Sequence, residues 1–368
     1  MPPAVGYSLK VISYFLTHFR IQWRYWPRFL LTLLINLINW PFRAYEKYFI
    51  NPKYREGKGD PPVIFIIGHW RSGTTHLHNL LCQDPQMGYT TTYQSVFPDT
   101  VFNKVGRFLF EGFSRILIPG KRAGDNVRLG TKLPQEEEFT LGANTPLSFY
   151  YFWMFPKKLR YFYEKSIRFK DCSPSLLRQW QEDYRLLIRK SLANTKKEVY
   201  LSKNPSNTGR MSHLLEVFPN ARFIHIHRNP IEVFLSMDNF FRNMMPHLQL
   251  QQITPEERKR FIIDLYKALM QDFVRQKPDI PNERLVEIAY CDLIAQPMET
   301  LAFIYDSLAI PGFEDSRDAF AAYLEQKEGY EKNKHKVSSE WVDELMVQFK
   351  TVLDRYAYDI PKSIEIIS

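Results

Sequence analysis

The chain has 368 residues, three cysteines, a hydrophobic content of 45% and a formal net charge of +9. This length and composition suit a single α/β domain with a buried core, and the scattered cysteines exclude a disulfide framework or a thiolate zinc site. We therefore expect a reducing, cytoplasmic compartment. Residues 1–60 carry nine Lys and Arg against three acids. Because the basic charge is concentrated there and no nucleic-acid-binding motif is found, we expect no nucleic-acid partner.

Residues 1–60 are predicted to form a basic, aromatic helical arm that precedes a domain over residues 61–368. The longest uncharged run of the arm, residues 29–42, has 14 residues, whereas a helix that spans a membrane needs about 20. Tryptophan and tyrosine alternate with Arg and Lys here, which is typical of helices in the headgroup region of an anionic membrane. The arm thus predicts peripheral binding to the inner face of a membrane. A helical arm that packs on its own domain or on a partner subunit is the alternative, and the oligomeric state is left open.

A glycine-rich turn follows the first predicted strand, residues 63–67. Gly68 and Gly73 have the spacing of a Walker A loop, and a segment with helical character comes next. The order of strand, glycine loop and helix aims backbone N–H groups at an anion. Thr74 stands where the Walker A lysine is expected, and the cation is Arg71 instead. The loop is therefore predicted to bind an anion other than the β,γ-phosphates of ATP.

Strands and helices alternate through the rest of the chain. Such alternation predicts an α/β fold with a P-loop-like, mainly parallel sheet flanked by helices on both faces, after the N-terminal helical arm. The aromatic segment 149–155 is predicted to be core or pocket wall. The other predicted segments are strands 198–202, 222–227 and 285–289 and helices 76–82, 134–141, 173–194, 210–218 and 230 onward.

Two motifs together resemble the sulfotransferases that use 3′-phosphoadenosine 5′-phosphosulfate (PAPS). The string Arg71-Ser72-Gly73-Thr74-Thr75 resembles their 5′-phosphosulfate loop, in the RSGTT form of bacterial-type members. Arg228 ends a predicted strand, and Ser236 follows eight residues later in the next helix. This pair resembles the 3′-phosphate site of the same family. From about residue 62 to its C-terminus the chain is identified as a member of this family, with PAPS as the co-substrate.

The resemblance implies transfer of a sulfuryl group from PAPS to a hydroxyl or amine acceptor by in-line displacement, with release of 3′-phosphoadenosine 5′-phosphate (PAP). Arg71 is then the cation that stabilises negative charge on the leaving phosphate. Lys203 ends a strand on the same side of the sheet and is expected to contact the sulfate or the 5′-phosphate. His225 and His227 share a strand face without carboxylates at metal-ligand spacing, and we predict no metal site.

A general base is expected near the sulfur, because the acceptor must lose a proton. The candidates are Glu136 and Glu137, in an acidic segment after Pro134 that resembles one in bacterial relatives. Asn207 stands where other relatives carry a histidine, which favours a carboxylate base. The alternative for both acids is a structural role in the first turn of a helix, where they face the positive end of its dipole.

Two other functions are kept as alternatives: a P-loop phosphotransferase that uses ATP or GTP, and a non-catalytic, membrane-associated scaffold with a nucleotide pocket. The missing Walker A lysine disfavours the first. The acceptor is not determined by the sequence. The aromatic segment and the predicted membrane-binding arm favour a lipid or other hydrophobic alcohol as the acceptor. A carbohydrate, a phenol or a protein tyrosine is left open as an alternative acceptor.

Overall fold

The computed structural model describes residues 2–56, 59–117, 130–326 and 335–367. At its centre lies a five-stranded sheet in which every pairing is parallel and the strand order is β2-β3-β1-β4-β5. The strands are β1 (Val63–Ile67), β2 (Met87–Gly88), β3 (Val199–Lys203), β4 (Arg222–His227) and β5 (Leu285–Ala289). Because β1 is flanked by β3 and β4, the segments that follow these three strands meet at one edge of the sheet.

Helices cover both faces of the sheet, which confirms the predicted α/β class. They are α1 (Leu9–His18), α2 (Trp26–Tyr45), α3 (Asn51–Arg55), α4 (Thr74–Leu81), α5 (Thr92–Val96), α6 (Lys104–Leu117), α7 (Glu138–Asn144), α8 (Leu159–Ser166), α9 (Pro174–Thr195), α10 (Met211–Val217), α11 (Pro230–Leu248), α12 (Pro255–Gln276), α13 (Tyr290–Ala295), α14 (Pro297–Ser307), α15 (Phe313–Glu325) and α16 (Ser339–Tyr356). A π-helical turn, Glu46–Ile50, joins α2 to α3. A second, two-stranded parallel sheet pairs β6 (His335–Ser338) with β7 (Ile364–Ile367).

Strand β1 is buried on both sides of the sheet. Phe65 enters one hydrophobic cluster, where its ring stacks on Phe223 of β4 with centroids 5.5 Å apart. Ile66 enters a second cluster on the opposite face, together with Leu77 of α4. A strand covered on both faces needs apolar residues at every position rather than at alternate ones. This explains the unbroken apolar run that identified β1 in the sequence.

The N-terminal arm is helical, as predicted, and its first helix packs into the core. Phe15 of α1 is fully buried, and its ring lies 4.8 Å from that of Tyr151 in an edge-to-face contact. Phe19 makes a second contact, with ring centroids 4.8 Å from Phe155. One side of the arm therefore packs on the chain's own body. Among the described helices, none combines the length and the apolar character that crossing a bilayer requires.

The helix predicted over residues 134–141 begins later than the sequence indicates, as α7 at Glu138. Pro134 forms an antiparallel bridge with Thr91, and the Gln135 N–H donates to the Thr90 carbonyl over 2.9 Å. Pairing with the segment before α5 keeps this stretch extended, so the helix starts only after it. The residues before Glu138 consequently lie outside the first turn of α7.

Candidate active site

The loop between β1 and α4 is a tight turn that requires glycine at two positions. Gly68 and Gly73 have φ angles of 140° and 103°, and Arg71 between them adopts the left-handed value of 70°. A Cβ at Gly73 would lie 2.3 Å from Cδ2 of Tyr290, and one at Gly68 would lie 2.4 Å from the carbonyl oxygen of Ile226. Left-handed backbone at a non-glycine residue is uncommon and concentrates at functional sites. The turn leads directly into the N-terminus of α4, where N–H groups are available to an anion.

The side-chain hydroxyls of this loop have different surroundings. Ser72 Oγ donates to the His69 carbonyl over 2.7 Å, so this predicted ligand-binding hydroxyl holds the turn itself. Thr74 is buried at the start of α4, and Thr75 beside it is half-buried. Thr208, which follows β3, accepts the Gly68 N–H over 2.8 Å. The loop is thus fixed from inside and from the neighbouring strand.

The structure brings the two predicted anion-binding motifs together. Arg71 Nε donates to Ser236 Oγ over 3.0 Å, a contact between residues 165 positions apart. The guanidinium carbon of Arg71 lies 5.1 Å from the ring centre of Phe240, one turn further along α11. The Arg228 Nη1 donates to the carbonyl oxygen of Arg71 over 3.3 Å. Arg71, Ser236 and Arg228 therefore form one cationic cluster at the carboxyl edge of the sheet.

Arg228 is oriented by two neighbours, Glu232 and Tyr290. Its Nε donates to Glu232 Oε2 over 2.9 Å, one helical turn away on α11. Its guanidinium lies 4.6 Å from the ring centre of Tyr290, the same residue that packs on Gly73. Ser363 donates to the other oxygen of Glu232 over 2.6 Å, which connects the C-terminal segment to the cluster. A guanidinium has five N–H donors, so these contacts leave donors for a phosphate group.

Glu136 is bound on both carboxylate oxygens by residues near the loop. Lys203, which ends β3, pairs with Oε1, and the Tyr150 hydroxyl donates to Oε2. Tyr150 in turn accepts from Trp70 Nε1 over 3.1 Å, and Trp70 precedes Arg71 in the chain. Burial, reinforced by the charge of Glu136, raises the pKa of Tyr150 well above its usual value, so its hydroxyl stays protonated. Glu136 and Lys203 are thus brought together beside the glycine loop.

Glu137 points into the interior instead. It is fully buried, and its Oε1 accepts hydrogen bonds from Ser202, from the Tyr184 hydroxyl over 2.8 Å and from Asn207 Nδ2 over 3.3 Å. Burial raises the pKa of Glu137, although the hydrogen bonds from Ser202 and Tyr184 oppose that effect. Asn207 is held by the same buried network.

Glu138 is buried as completely as Glu137 and acts as a structural anchor. Its Oε2 pairs with Arg210 at 2.5 Å and accepts from Asn204 at 2.7 Å, and its Oε1 accepts the Phe149 N–H at 2.9 Å. Three consecutive glutamates therefore have three surroundings. The first of them, Glu136, is the one connected to the loop through Lys203 and Tyr150.

Four residues that lie beside the glycine loop or the cationic cluster were not predicted as site residues from the sequence: Trp70, Tyr150, Glu232 and Tyr290. Tyr150 lies in the aromatic segment predicted as core or pocket wall, and it is buried, as that prediction requires. Its bond to Glu136 depends on how the chain folds back over 14 residues, which no periodicity reveals. Glu232 does carry a sequence signal, because a Glu four residues after an Arg lies one helical turn from it.

His225 and His227 lie near the end of β4, just before Arg228. His225 pairs with Glu287 at 3.0 Å, and the ring of His227 stacks on Tyr356 with centroids 3.8 Å apart. Burial lowers the pKa of His227 to about 4, so it is neutral near pH 7. Within the described residues, no group of three or more His, Cys, Asp or Glu is arranged to hold a metal ion.

Several known proteins share this architecture. The structure superposes on sulfotransferase STF9 from Mycobacterium avium with a TM-score of 0.65 and 20% identity, over 88% of this chain and 83% of that one. It superposes on sulfotransferase STF1 from Mycobacterium tuberculosis with a TM-score of 0.63 and 17% identity, over 93% of this chain and 90% of that one. At such identities the likeness shows a shared fold.

The sequence comparisons go further. The chain is 28% identical over 345 residues to the omega-hydroxy-beta-dihydromenaquinone-9 sulfotransferases Stf3 of Mycobacterium bovis and Mycobacterium tuberculosis, which covers 93% of this chain and 87% of each relative. The model of the sulfotransferase family matches residues 62–315, more than half of the chain. The chain therefore belongs to the sulfotransferase family of enzymes, whose general reaction is the transfer of a sulfuryl group from PAPS.

Proposed function

We propose that this chain binds PAPS across the cluster of Arg71, Ser236 and Arg228 and transfers its sulfuryl group to a hydroxyl acceptor. The observation that carries the proposal is the 3.0 Å hydrogen bond from Arg71 to Ser236, which links the two predicted anion-binding motifs. A ligand with two separate phosphate groups fits two linked cationic sites. PAPS has such a pair of groups, whereas ATP lacks the 3′-phosphate.

The residues present fit the donor at both ends. The loop offers the N-terminus of α4 and the guanidinium of Arg71, and both favour an anion. At the other end Arg228 retains N–H donors beyond those used by Glu232 and the Arg71 carbonyl. Neither end requires a metal, because protein cations already lie where the phosphate charge is expected.

The mechanism follows from the positions of Arg71, Glu136 and Lys203. The donor supplies an activated sulfur, and negative charge develops on the phosphate oxygen as its bond to sulfur breaks. Arg71 stabilises this charge with N–H donors that are already oriented. Glu136 accepts the proton of the acceptor hydroxyl as the new S–O bond forms. Lys203 and Tyr150 keep the Glu136 carboxylate in position and, in the case of Lys203, add positive charge near the transferred group.

The acceptor is proposed to be a hydrophobic alcohol of the lipid type. Aromatic rings surround the cluster: Trp70 contacts Phe149 and Phe152, with centroids 5.6 and 6.3 Å apart, and Phe240 lies under Arg71. The Stf3 relatives are named for an ω-hydroxy derivative of dihydromenaquinone, a hydroxyl on a hydrophobic molecule. The same chemistry is proposed for this chain, since the match covers nearly the full length of both proteins.

A lipid acceptor is met most readily at a membrane surface, so we also propose peripheral association through the basic and aromatic residues 1–60. The excess of cations over acids in this arm favours a negatively charged leaflet, such as the inner face of a membrane. A cytoplasmic body with a surface-bound arm is the localisation that follows.

Purified protein incubated with ³⁵S-labelled PAPS and either a lipid extract or an aqueous extract tests this function. We expect labelled product in the lipid fraction, with release of PAP. Arg71→Ala should abolish labelling, whereas Arg317→Ala, which removes an exposed arginine paired with Glu314, should leave it intact. Equal labelling by the wild type and Arg71→Ala would refute the role of Arg71, and product only in the aqueous fraction would refute the lipid acceptor.

Calorimetric binding distinguishes the phosphotransferase alternative. The wild type should bind PAP in the absence of Mg²⁺, and Arg228→Ala should weaken that binding because it removes a cation from the 3′-phosphate site. Tight binding of ATP with Mg²⁺ and none of PAP would favour a phosphotransferase. PAP binding without any sulfated product from either extract would favour the non-catalytic scaffold.

A further inference from the structure

Helix α2 presents polar residues to the protein and apolar residues to the outside. Thr32 Oγ1 donates to the Pro3 carbonyl over 2.7 Å, and Asn36 Nδ2 donates to the Ala4 carbonyl over 3.0 Å. A helix on an aqueous surface has the opposite arrangement, with its apolar side against the core. The buried residues of the inner side include four polar ones, Thr32, Asn36, Asn39 and Arg43, beside Phe29 and Ile35.

The outer side of α2 and of the π-helical turn is covered by exposed apolar side chains, which we name the outer apolar face. The aliphatic members are each 48% to 55% exposed. Contiguous exposed patches of this kind mark a site of interaction with a protein or a membrane. The face consists of Trp26, Leu30, Leu31, Leu34, Leu37, Ile38, Trp40, Tyr45, Tyr48 and Phe49.

Helix α6 adds apolar residues from a distant part of the chain. The ring of Phe42 in α2 lies 5.6 Å from that of Phe110 in α6, and a Cβ at Gly106 would lie 3.1 Å from the Phe42 ring. The buried carboxylate of Glu46 accepts the Asn103 N–H over 3.0 Å at the start of α6. These contacts fix α6 beside α2. Among the side chains of α6 that the structure describes, the exposed apolar ones are Val105, Phe108 and Leu109.

Most exposed charges of this region are cationic. Residues 2–56 contain two acids: Glu46, which is fully buried, and Glu56, which is exposed at the end of the arm. An apolar surface with tryptophan and tyrosine among its members and cations around it has the composition of a segment that lies in the headgroup region of an anionic bilayer. The exposed cations are Lys10, Arg20, Arg24, Lys47, Lys53 and Lys104, together with Arg55, which pairs with Asp183.

We propose that the outer apolar face, extended by Val105, Phe108 and Leu109, docks on the surface of an anionic lipid bilayer. The inference rests on the proposed membrane association and assigns the surface that makes it, including α6, which lies outside residues 1–60. Docking buries the aliphatic residues of α2 among acyl chains, and the lysines and arginines contact lipid phosphates. The helix then lies in the plane of the interface, since it cannot cross the bilayer.

A second copy of the chain is the competing occupant, and charge disfavours it. A symmetric dimer through this face brings the cations of one arm close to those of the other. Residues 2–56 offer one exposed acid, Glu56, against these cations. An excess of like charges in contact costs binding free energy, whereas binding to anionic lipid is favoured by the same cations.

Vesicle sedimentation tests the assignment with full-length protein. We expect the wild type to sediment with vesicles of phosphatidylcholine and phosphatidylglycerol, and more weakly with phosphatidylcholine alone. Leu34→Glu combined with Ile38→Glu should lower binding to the anionic vesicles by at least about tenfold, because the apolar surface of these two side chains is no longer transferred from water into the bilayer. Phe108→Glu should lower it as well, and this variant tests the contribution of α6.

The matched control for Phe108→Glu is Val347→Glu, which places the same single charge at an exposed apolar residue of α16. It should bind vesicles like the wild type. Calorimetric PAP binding by every variant reports on the fold and on the proposed function independently of docking. Wild type that binds PAP but not anionic vesicles overturns the docking inference and leaves the proposed function intact. A wild-type dimer that Leu34→Glu with Ile38→Glu dissociates overturns it in favour of a second copy.

Discussion

Glu136 and Glu137 are neighbours in the chain, but their side chains have different access to the loop. Glu136 contacts Lys203 and Tyr150 beside Arg71, whereas Glu137 is enclosed by Ser202 and its partners. We therefore predict that Glu136→Gln lowers kcat by about 10²–10⁴-fold, the usual contribution of a general base. Glu137→Gln should change kcat only slightly. Steady-state kinetics with saturating PAPS checks both, and unchanged turnover in Glu136→Gln would exclude this residue as the base.

Glu137 should instead affect how stability depends on pH. Burial raises its pKa in the folded protein above the value near 4.5 expected in the unfolded chain. Because the folded protein holds this proton more tightly than the unfolded chain does, the unfolding free energy of the wild type is highest at low pH, where Glu137 is protonated. It decreases as pH rises through the pKa that Glu137 has in the folded protein. Glu137→Gln has no such proton to lose. The difference between its unfolding free energy and that of the wild type should therefore increase from below pH 4.5 to neutral pH. Denaturant titrations at several pH values measure this difference, and a difference that stays constant would contradict the raised pKa.

Glu232 is predicted to position Arg228 for the 3′-phosphate. The carboxylate accepts from Arg228 Nε and is itself held by Ser363. Glu232→Ala should weaken PAP binding by about 10- to 100-fold, because a hydrogen bond to a charged group contributes about 1.5–3 kcal/mol. Glu232→Gln keeps an acceptor for Nε and should weaken binding less. Calorimetry with PAP measures both, and tighter binding in Glu232→Ala would show that the carboxylate competes with the phosphate instead.

At the scale of elements, the π-helical turn after α2 ties the arm to the body through Glu46. This fully buried carboxylate lies 2.8 Å from Lys190 Nζ of α9 and accepts the N–H groups of Phe102 and Asn103 at the start of α6. Glu46→Ala leaves a buried lysine without one of its partners and two N–H groups unpaired. We predict a loss of about 3–5 kcal/mol in unfolding free energy.

Denaturant titration measures the loss in Glu46→Ala. The control is Arg317→Ala on the exposed side of α15, where an ion pair contributes little to stability. Hydrogen exchange should show faster exchange at the N-terminus of α6 in Glu46→Ala, because its cap is removed. Equal stability of Glu46→Ala and the control would show that the arm is held mainly by its apolar contacts.

The elements also show where sequence reasoning is strong and where it fails. Strands β1, β4 and β5 lie within the bounds predicted for them, because unbroken apolar runs between turn signals have few alternatives. The predicted start of α7 is too early, since the pairing of Pro134 with Thr91 is a contact between distant segments. A local pattern favours a helix after proline, and only the tertiary partner shows that the chain is extended there.

For the whole molecule, the residues of the candidate site also fall into two groups: those that local motifs predict and those that depend on contacts between distant segments. The loop residues and Arg228 belong to short motifs with a fixed local geometry, so they can be proposed as site residues from the sequence alone. The choice between Glu136 and Glu137 depends on which side chain meets Lys203, and that is set by the extended segment before α7, which lies beside the end of β3. The sequence also does not show that the polar side of α2 faces the protein. That orientation follows from its contact with the segment around Ala4, whose carbonyl accepts a hydrogen bond from Asn36.

The distribution of charge over the whole molecule predicts how docking responds to salt. Exposed cations near the anionic surface contribute about 1 kcal/mol each, and this attraction weakens as the Debye length falls from about 10 Å at 0.1 M to about 3 Å at 1 M ionic strength. Burial of the leucines of α2 does not weaken with salt, because it needs no charge. Binding to anionic vesicles should therefore decrease with salt to a plateau above zero. In Leu34→Glu with Ile38→Glu the plateau should vanish, whereas Lys47→Gln should lower only the salt-sensitive part. Complete loss of wild-type binding at high salt would mean that the outer apolar face does not enter the bilayer.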